Sequence, residues 1–250
     1  MPAAQPLADN DYASFGYTVA EAQPSERVAF VRKTYTHLAV AVYAFAALEW
    51  VYFQSGIAEK FLGLLQGVPY APLIMLGAFI AVSWVADSWA RSDASPALQY
   101  AGLFGYVIFE SLFFIPILWF AQTMSVNVAG VGDVNVIGAA GVATIAMFGL
   151  LTAIAWFSGT DFSFLRSALF FGGIAAMALI AISIFFGMHL GVWFTVAMIA
   201  FAAGYILYDT SNVMHHYQPN QHVAASLALF ASVALMFWYV LQLFMSFSDD

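Results

Sequence analysis

Cysteine is absent from the 250 residues, which excludes disulfides, thiolate metal sites and cysteine nucleophiles and removes any redox clue to compartment. Charge is nearly as scarce. Charged residues make up 8% of the chain, against roughly 25% in a soluble domain. Lys and Arg number six, too few for a basic patch, and the net charge of -8 argues against nucleic acid as a partner. The lysines are Lys33 and Lys60, so the C-terminal half offers no amine for a retinal Schiff base. HExxH, GxSxG and phosphate-cradling glycine loops are all missing, and no constellation supports an enzyme or a bound cofactor.

What the chain has instead is apolar length. Hydrophobic residues reach 63% and mean hydropathy is +0.86, which makes it an integral membrane protein with the lipid bilayer as its first partner. A helix needs about 20 apolar residues to cross a hydrocarbon core of ~30 Å. Seven such runs occur: Thr34 to Phe53, Tyr70 to Trp89, Ala97 to Phe120, Val136 to Trp156, Leu165 to Gly187, Gly191 to Met214 and Val223 to Phe247. The fifth and sixth are parted only by Met188, His189 and Leu190 between two glycines. Read as one helix they would span about 75 Å, so two crossings are expected. The fold class is an all-α bundle of seven transmembrane helices. Residues 1–26 are expected as a flexible cytoplasmic tail without a cleaved signal peptide, and 27–250 as one transmembrane domain.

Orientation follows from the few cations. Arg27, Arg32, Lys33, Arg91 and Arg166 fall on one side of this threading and Lys60 alone on the other. The positive-inside rule then places the N-terminus in the cytoplasm and the C-terminus outside.

Ionisable residues inside membrane-length apolar sequence are costly and are read as functional by default. Asp209 lies in Gly204 to Tyr217 (GYILYDTSNVMHHY), before the sixth run has ended. It reads either as a site in the inner part of the membrane or as an interfacial residue on a long helix. Asp87 and Arg91, at i and i+4, share a helix face and either pair with each other or join a gate. Glu110 falls near mid-membrane, where a carboxyl must be protonated or paired, and Glu49 reads as interfacial. His215, His216 and His222 crowd the loop after Asp209, but adjacent residues on a helix do not face one point, and a solvated loop is the expected reading over a metal site. His37 and His189 read as single residues at membrane edges. Gly138, Gly141, Gly172 and Gly173 are expected to permit close helix packing.

Three stretches give the chain a family likeness: FVRKTY (Phe30 to Tyr35), TDFSFL (Thr160 to Leu165) and GYILYDT (Gly204 to Thr210). In order and spacing the chain resembles the Bax inhibitor-1 family, in its bacterial YccA-like branch. The resemblance implies six helices around a central seventh in a bacterial inner membrane. It also implies either a pH-modulated calcium leak or regulation of a membrane-bound, ATP-dependent protease, the acidic tail being the candidate handle. In calcium-leak relatives the aspartate matching Asp209 shares a proton with a second aspartate on the last helix. Here Ser232 (in LFASVALMFWYVL) stands at that position, ten residues before Pro219 facing thirteen after it. A serine donates a hydrogen bond but does not titrate. The candidate ion pathway is therefore Asp209 with Ser232, Arg91, Asp87 and Glu110. Calcium is expected as the transported ion, held at most weakly at Asp209.

Overall fold

The structure, a computed structural model, describes residues 16–92, 95–128 and 132–248. Seven helices are long and apolar enough to cross a membrane. They are α1 (Pro24–Gln54), α3 (Ala71–Ala90), α4 (Pro96–Ala121), α5 (Val136–Ser158), α6 (Leu165–Phe186), α7 (Gly191–His215) and α8 (His222–Ser248). All seven expected runs are helical. The division between the fifth and sixth holds because Gly187 ends α6 in a left-handed turn (φ 64°), with the Met188 N–H returning to the Ser183 carbonyl at 2.8 Å, and α7 starts at Gly191 (φ 73°).

Two of the connections carry secondary structure of their own. The short helix α2 (Ile57–Gln66) follows α1. An antiparallel hairpin of β1 (Ser125–Val128) and β2 (Gly132–Asn135) joins α4 to α5. Asn135 closes the hairpin and starts α5, its Oδ1 accepting from the Ile137 and Gly138 N–H groups at 2.9 and 3.4 Å. Ser95 caps α4 ahead of Pro96 in the same way, on the Leu98 N–H at 3.3 Å.

α8 is the axis of the bundle. Inside lies 67% of its apolar window, against 50% for α4 and 11–22% for the others. It packs on α1, α3, α4, α5 and α7, and α6 completes the ring through α7 and α3. Its register against α4 is set by rings: Tyr106 edge-on to Phe230 at 6.1 Å, and Phe114 edge-on to Trp238 at 5.0 Å. The outward faces carry large exposed apolar side chains such as Phe157 (91%), Tyr43 (77%) and Trp84 (74%), as a lipid-solvated surface requires.

Two expectations need correction. The described part of the expected tail is docked: α1 begins at Pro24, Val19 is fully buried, and its N–H donates to the Tyr217 carbonyl at 2.8 Å. Residues 1–15 of that tail lie outside the described residues. Gly138 and Gly141 face open space, so close packing does not explain them. Gly172 does allow an approach, since a Cβ there would lie 2.8 Å from the Phe201 ring. The tightest approach of all is at Gly102, where a Cβ would meet the Ala86 carbonyl oxygen at 2.6 Å and the Ala90 nitrogen at 2.8 Å.

Candidate functional site

The inward face of α7 runs through Met198, Ala202, Ile206, Asp209, Thr210 and Val213, all buried. These steps of three and four residues form one stripe. Asp209 therefore occupies a core position by helical geometry, and it is 7% exposed. The interfacial reading fails for that reason. Ser232, 3% exposed on α8, donates its hydroxyl hydrogen to Asp209 Oδ2. The two helices adjoin through the turn at Pro219, which brings residues 23 apart to one depth.

The next layer toward the cation-rich end is Asp87, Arg91 and Tyr217. Arg91 follows the last turn of α3, and its Nε donates to both Asp87 oxygens at 2.8 and 2.9 Å. Its Nη2 donates to the Tyr217 hydroxyl at 3.4 Å, and the guanidinium carbon lies 5.5 Å from the Tyr217 ring centroid. Burial pushes the Tyr217 hydroxyl well above its ordinary range, so it stays a neutral phenol that can accept from Arg91. Arg91 reaches Asp209 through its field, with Tyr217 and Asp87 as its contacts.

Glu110 stands apart. Its α4 neighbours Tyr106 and Phe114 pack on Phe230 and Trp238 of α8. Ser232, two residues past Phe230, is rotated by about 200° from that contact. The axis helix thus lies between Glu110 and Asp209. Glu110 is buried, with one carboxyl oxygen lacking a hydrogen-bond partner among the described residues. Glu49, expected at the interface, is shielded within the protein: it is 8% exposed, and both its oxygens are buried without a hydrogen-bond partner among the described residues.

Two of the histidines after Asp209, His215 and His216, make hydrogen bonds, His216 while still exposed. Asp161, before the single 3-10 turn Phe162–Phe164, receives His216 Nε2 at 3.0 Å. The Ser211 hydroxyl accepts from the Phe162 N–H at 2.9 Å and points its own hydrogen at Asp161 at 3.4 Å. His215 Nδ1 lies 3.0 Å from the Ser211 carbonyl. Asp161 also accepts the Ser163 N–H at 2.9 Å, and that backbone bond, helped by His216, holds its carboxyl down at about 2. This strap ties the start of α6 to the end of α7, two residues from Asp209. It accounts for TDFSFL, whose Asp-x-Ser spacing is itself a helix-capping signal. Among the described residues no group of three His, Asp or Glu side chains could hold a metal ion.

Comparison with known proteins places these features in context. The family model described as "Inhibitor of apoptosis-promoting Bax1" matches residues 27–249. The Golgi anti-apoptotic protein of vaccinia virus (strain Lister) is 28% identical over 235 residues, covering 92% of this chain and 90% of the viral one. Protein lifeguard 4 of Mus musculus is 26% identical over 92% of this chain and 90% of its own. Bax inhibitor 1 of Schizosaccharomyces pombe is 26% identical over 90% of this chain and 79% of its own.

Proposed function

The chain belongs to the Bax inhibitor family of non-enzymatic membrane proteins, and on that premise we propose that it is a calcium leak whose pathway runs past Asp209. One observation carries this reading: a carboxylate seated in the core of a seven-span bundle, with Ser232 as its one directly bonded side chain among the described residues and a cation layer beneath it. In the closed state Asp209 and Ser232 hold α7 to α8, and Asp87, Arg91 and Tyr217 close the inner mouth. Calcium is cargo here. A resident ion would want six to eight oxygens, and Asp209 with Ser232 supplies few, so the ion passes without being stored.

The same reading assigns the chain to the YccA-like branch, in a bacterial inner membrane with the N-terminus cytoplasmic and the C-terminus outside. TDFSFL and GYILYDT support the branch, and the five-to-one cation asymmetry supports the orientation. Calcium flux into proteoliposomes tests the leak: wild type conducts between about pH 5 and 8, and Asp209→Asn changes the rate severalfold. Absence of flux in both at every pH sinks it. A second reading, a non-conducting regulator of a membrane-bound ATP-dependent protease, draws on the acidic N-terminal segment, which docks through Val19 beside Tyr217. It predicts that a truncated chain lacking residues 1–15 loses the protease in pull-down while flux is unchanged.

A further inference from the structure

At the end of the bundle where α4 and α8 begin, those two helices and α1 surround a cavity of about 370 Å³. Its walls are mixed. Lys33 and His37 come from α1, Tyr100 from α4 and His222 from the start of α8, beside apolar Phe30 and Pro96. His37 is fixed as a wall rather than offered as a donor. A carbonyl oxygen only accepts, so His37 Nδ1, 2.7 Å from the Lys33 carbonyl, carries the hydrogen. In the neutral ring Nε2 is then the acceptor for the Tyr100 hydroxyl at 2.9 Å. The His37 and His222 rings lie 5.1 Å apart, which closes one side.

Two charged side chains line the cavity, Lys33 and Glu26. The Lys33 ammonium has no ion pair among the described residues, and Glu26 keeps its charge while accepting the Tyr17 hydroxyl on Oε2 at 3.1 Å. Two helix N-termini, those of α4 and α8, open at the same place and add positive potential. Depth decides what kind of anion can reach it. α1 has 31 residues, a length of about 46 Å against a hydrocarbon core of ~30 Å. Its apolar run begins at Thr34, so the first turns, which bear Ala29, Phe30 and Lys33, precede that run and fall at headgroup level. A lysine at that depth beside apolar walls matches a phosphate ester attached to an acyl chain better than a free ion.

We propose that this cavity seats the phosphate of a phospholipid headgroup, with Lys33 as its counter-ion and Ala29, Phe30 and Pro96 against the glycerol. The site is independent of the leak, because it lies on the α1–α4–α8 side and involves neither Asp209 nor Ser232. The test is native mass spectrometry of the full-length protein after extraction from vesicles of phosphatidylglycerol and phosphatidylethanolamine. Wild type is expected to retain a phospholipid. Lys33→Gln is expected to retain it about tenfold less, the worth of one charge-assisted contact of ~1.4 kcal/mol. Ala29→Phe, which fills the cavity and keeps the charge, loses it as well, while Lys60→Gln on α2 retains it. Equal retention in wild type and Lys33→Gln overturns the proposal, as does no retention by wild type. Thermal protection in detergent by inorganic phosphate alone, equal to that by phosphatidylglycerol, assigns the pocket to a soluble anion and overturns the lipid assignment.

Discussion

The Ser232 hydroxyl is bonded to Asp209 Oδ2 across the α7–α8 contact, and both side chains are buried. The bond joins the most central helix to the helix that carries the carboxylate. A serine at this point supplies a proton donor without a second charge, so the pair resists separation by hydrogen bonding alone and has no shared proton to lose.

Removing that donor leaves a buried carboxyl oxygen without its partner. Ser232→Ala is expected to lower stability by about 1–3 kcal/mol, read as a fall in the unfolding temperature in detergent. Ser232→Asp places two carboxyls at one site, and such a pair titrates as a unit because both cannot ionise cheaply. In proteoliposomes the pH profile of its calcium flux should differ in shape from that of wild type. A flux profile of unchanged shape in Ser232→Asp would mean that Ser232 does not control the pathway.

The Asp161–His216 strap gives a pH dependence of definite sign. The Asp161 carboxyl is held at about 2, below its ordinary value near 3.8. A depressed carboxylate contributes stability that is fully present above the ordinary value and is lost as pH falls through the folded one. The stability difference between wild type and Asp161→Asn should therefore shrink as pH falls from about 4 toward 2. The side chains are nearly half exposed, so the difference is small and falls further with added salt. A difference that grows on acidification would show that the carboxylate is not what holds the strap.

How much of this could be read beforehand follows from the range over which each signal acts. Apolar run length reports only what lies in hydrocarbon, so the seven centres were legible, while α1 begins ten residues before Thr34 because its cationic first turns are helical outside that layer. The four-residue strands are too short to carry a period. Asp209 and Ser232 were legible together because counting from Pro219 sets their register. Asp161 and His216 are 55 residues apart, and only the packing of α6 on α7 brings them together. Depth along one helix does not report shielding by other helices, so the burial of Glu49 is not legible in the sequence of α1.

The glycines should separate by what a methyl group would meet. At Gly102 the obstacles are the Ala86 and Ala90 backbone atoms, which cannot move without parting α3 from α4. At Gly172 the obstacle is the Phe201 ring, which can tilt away. Gly138 faces open space. Alanine scanning in detergent should show Gly102→Ala losing about 1–3 kcal/mol, Gly172→Ala less, and Gly138→Ala nothing or a slight gain from helix propensity. A Gly102→Ala protein as stable as wild type would contradict the α3–α4 spacing described above.

Glu49 makes the opposite kind of prediction. Both its oxygens are buried on α1 without a hydrogen-bond partner among the described residues, close to Tyr52, whose hydroxyl meets Ser111 at 3.5 Å. Burying a polar group without a partner is costly, and an apolar group of similar volume removes that cost. Glu49→Leu is therefore expected to raise stability by about 1–3 kcal/mol, and Glu49→Gln, which keeps the polar atoms, to leave it little changed. Stability alone would not distinguish a harmless carboxyl from one used in transport, so calcium flux is measured on the same samples. If Glu49→Leu is more stable and conducts as wild type does, the pathway past Asp209 runs clear of α1. If it is more stable and silent, the carboxyl is kept at a cost to the fold because ions pass it.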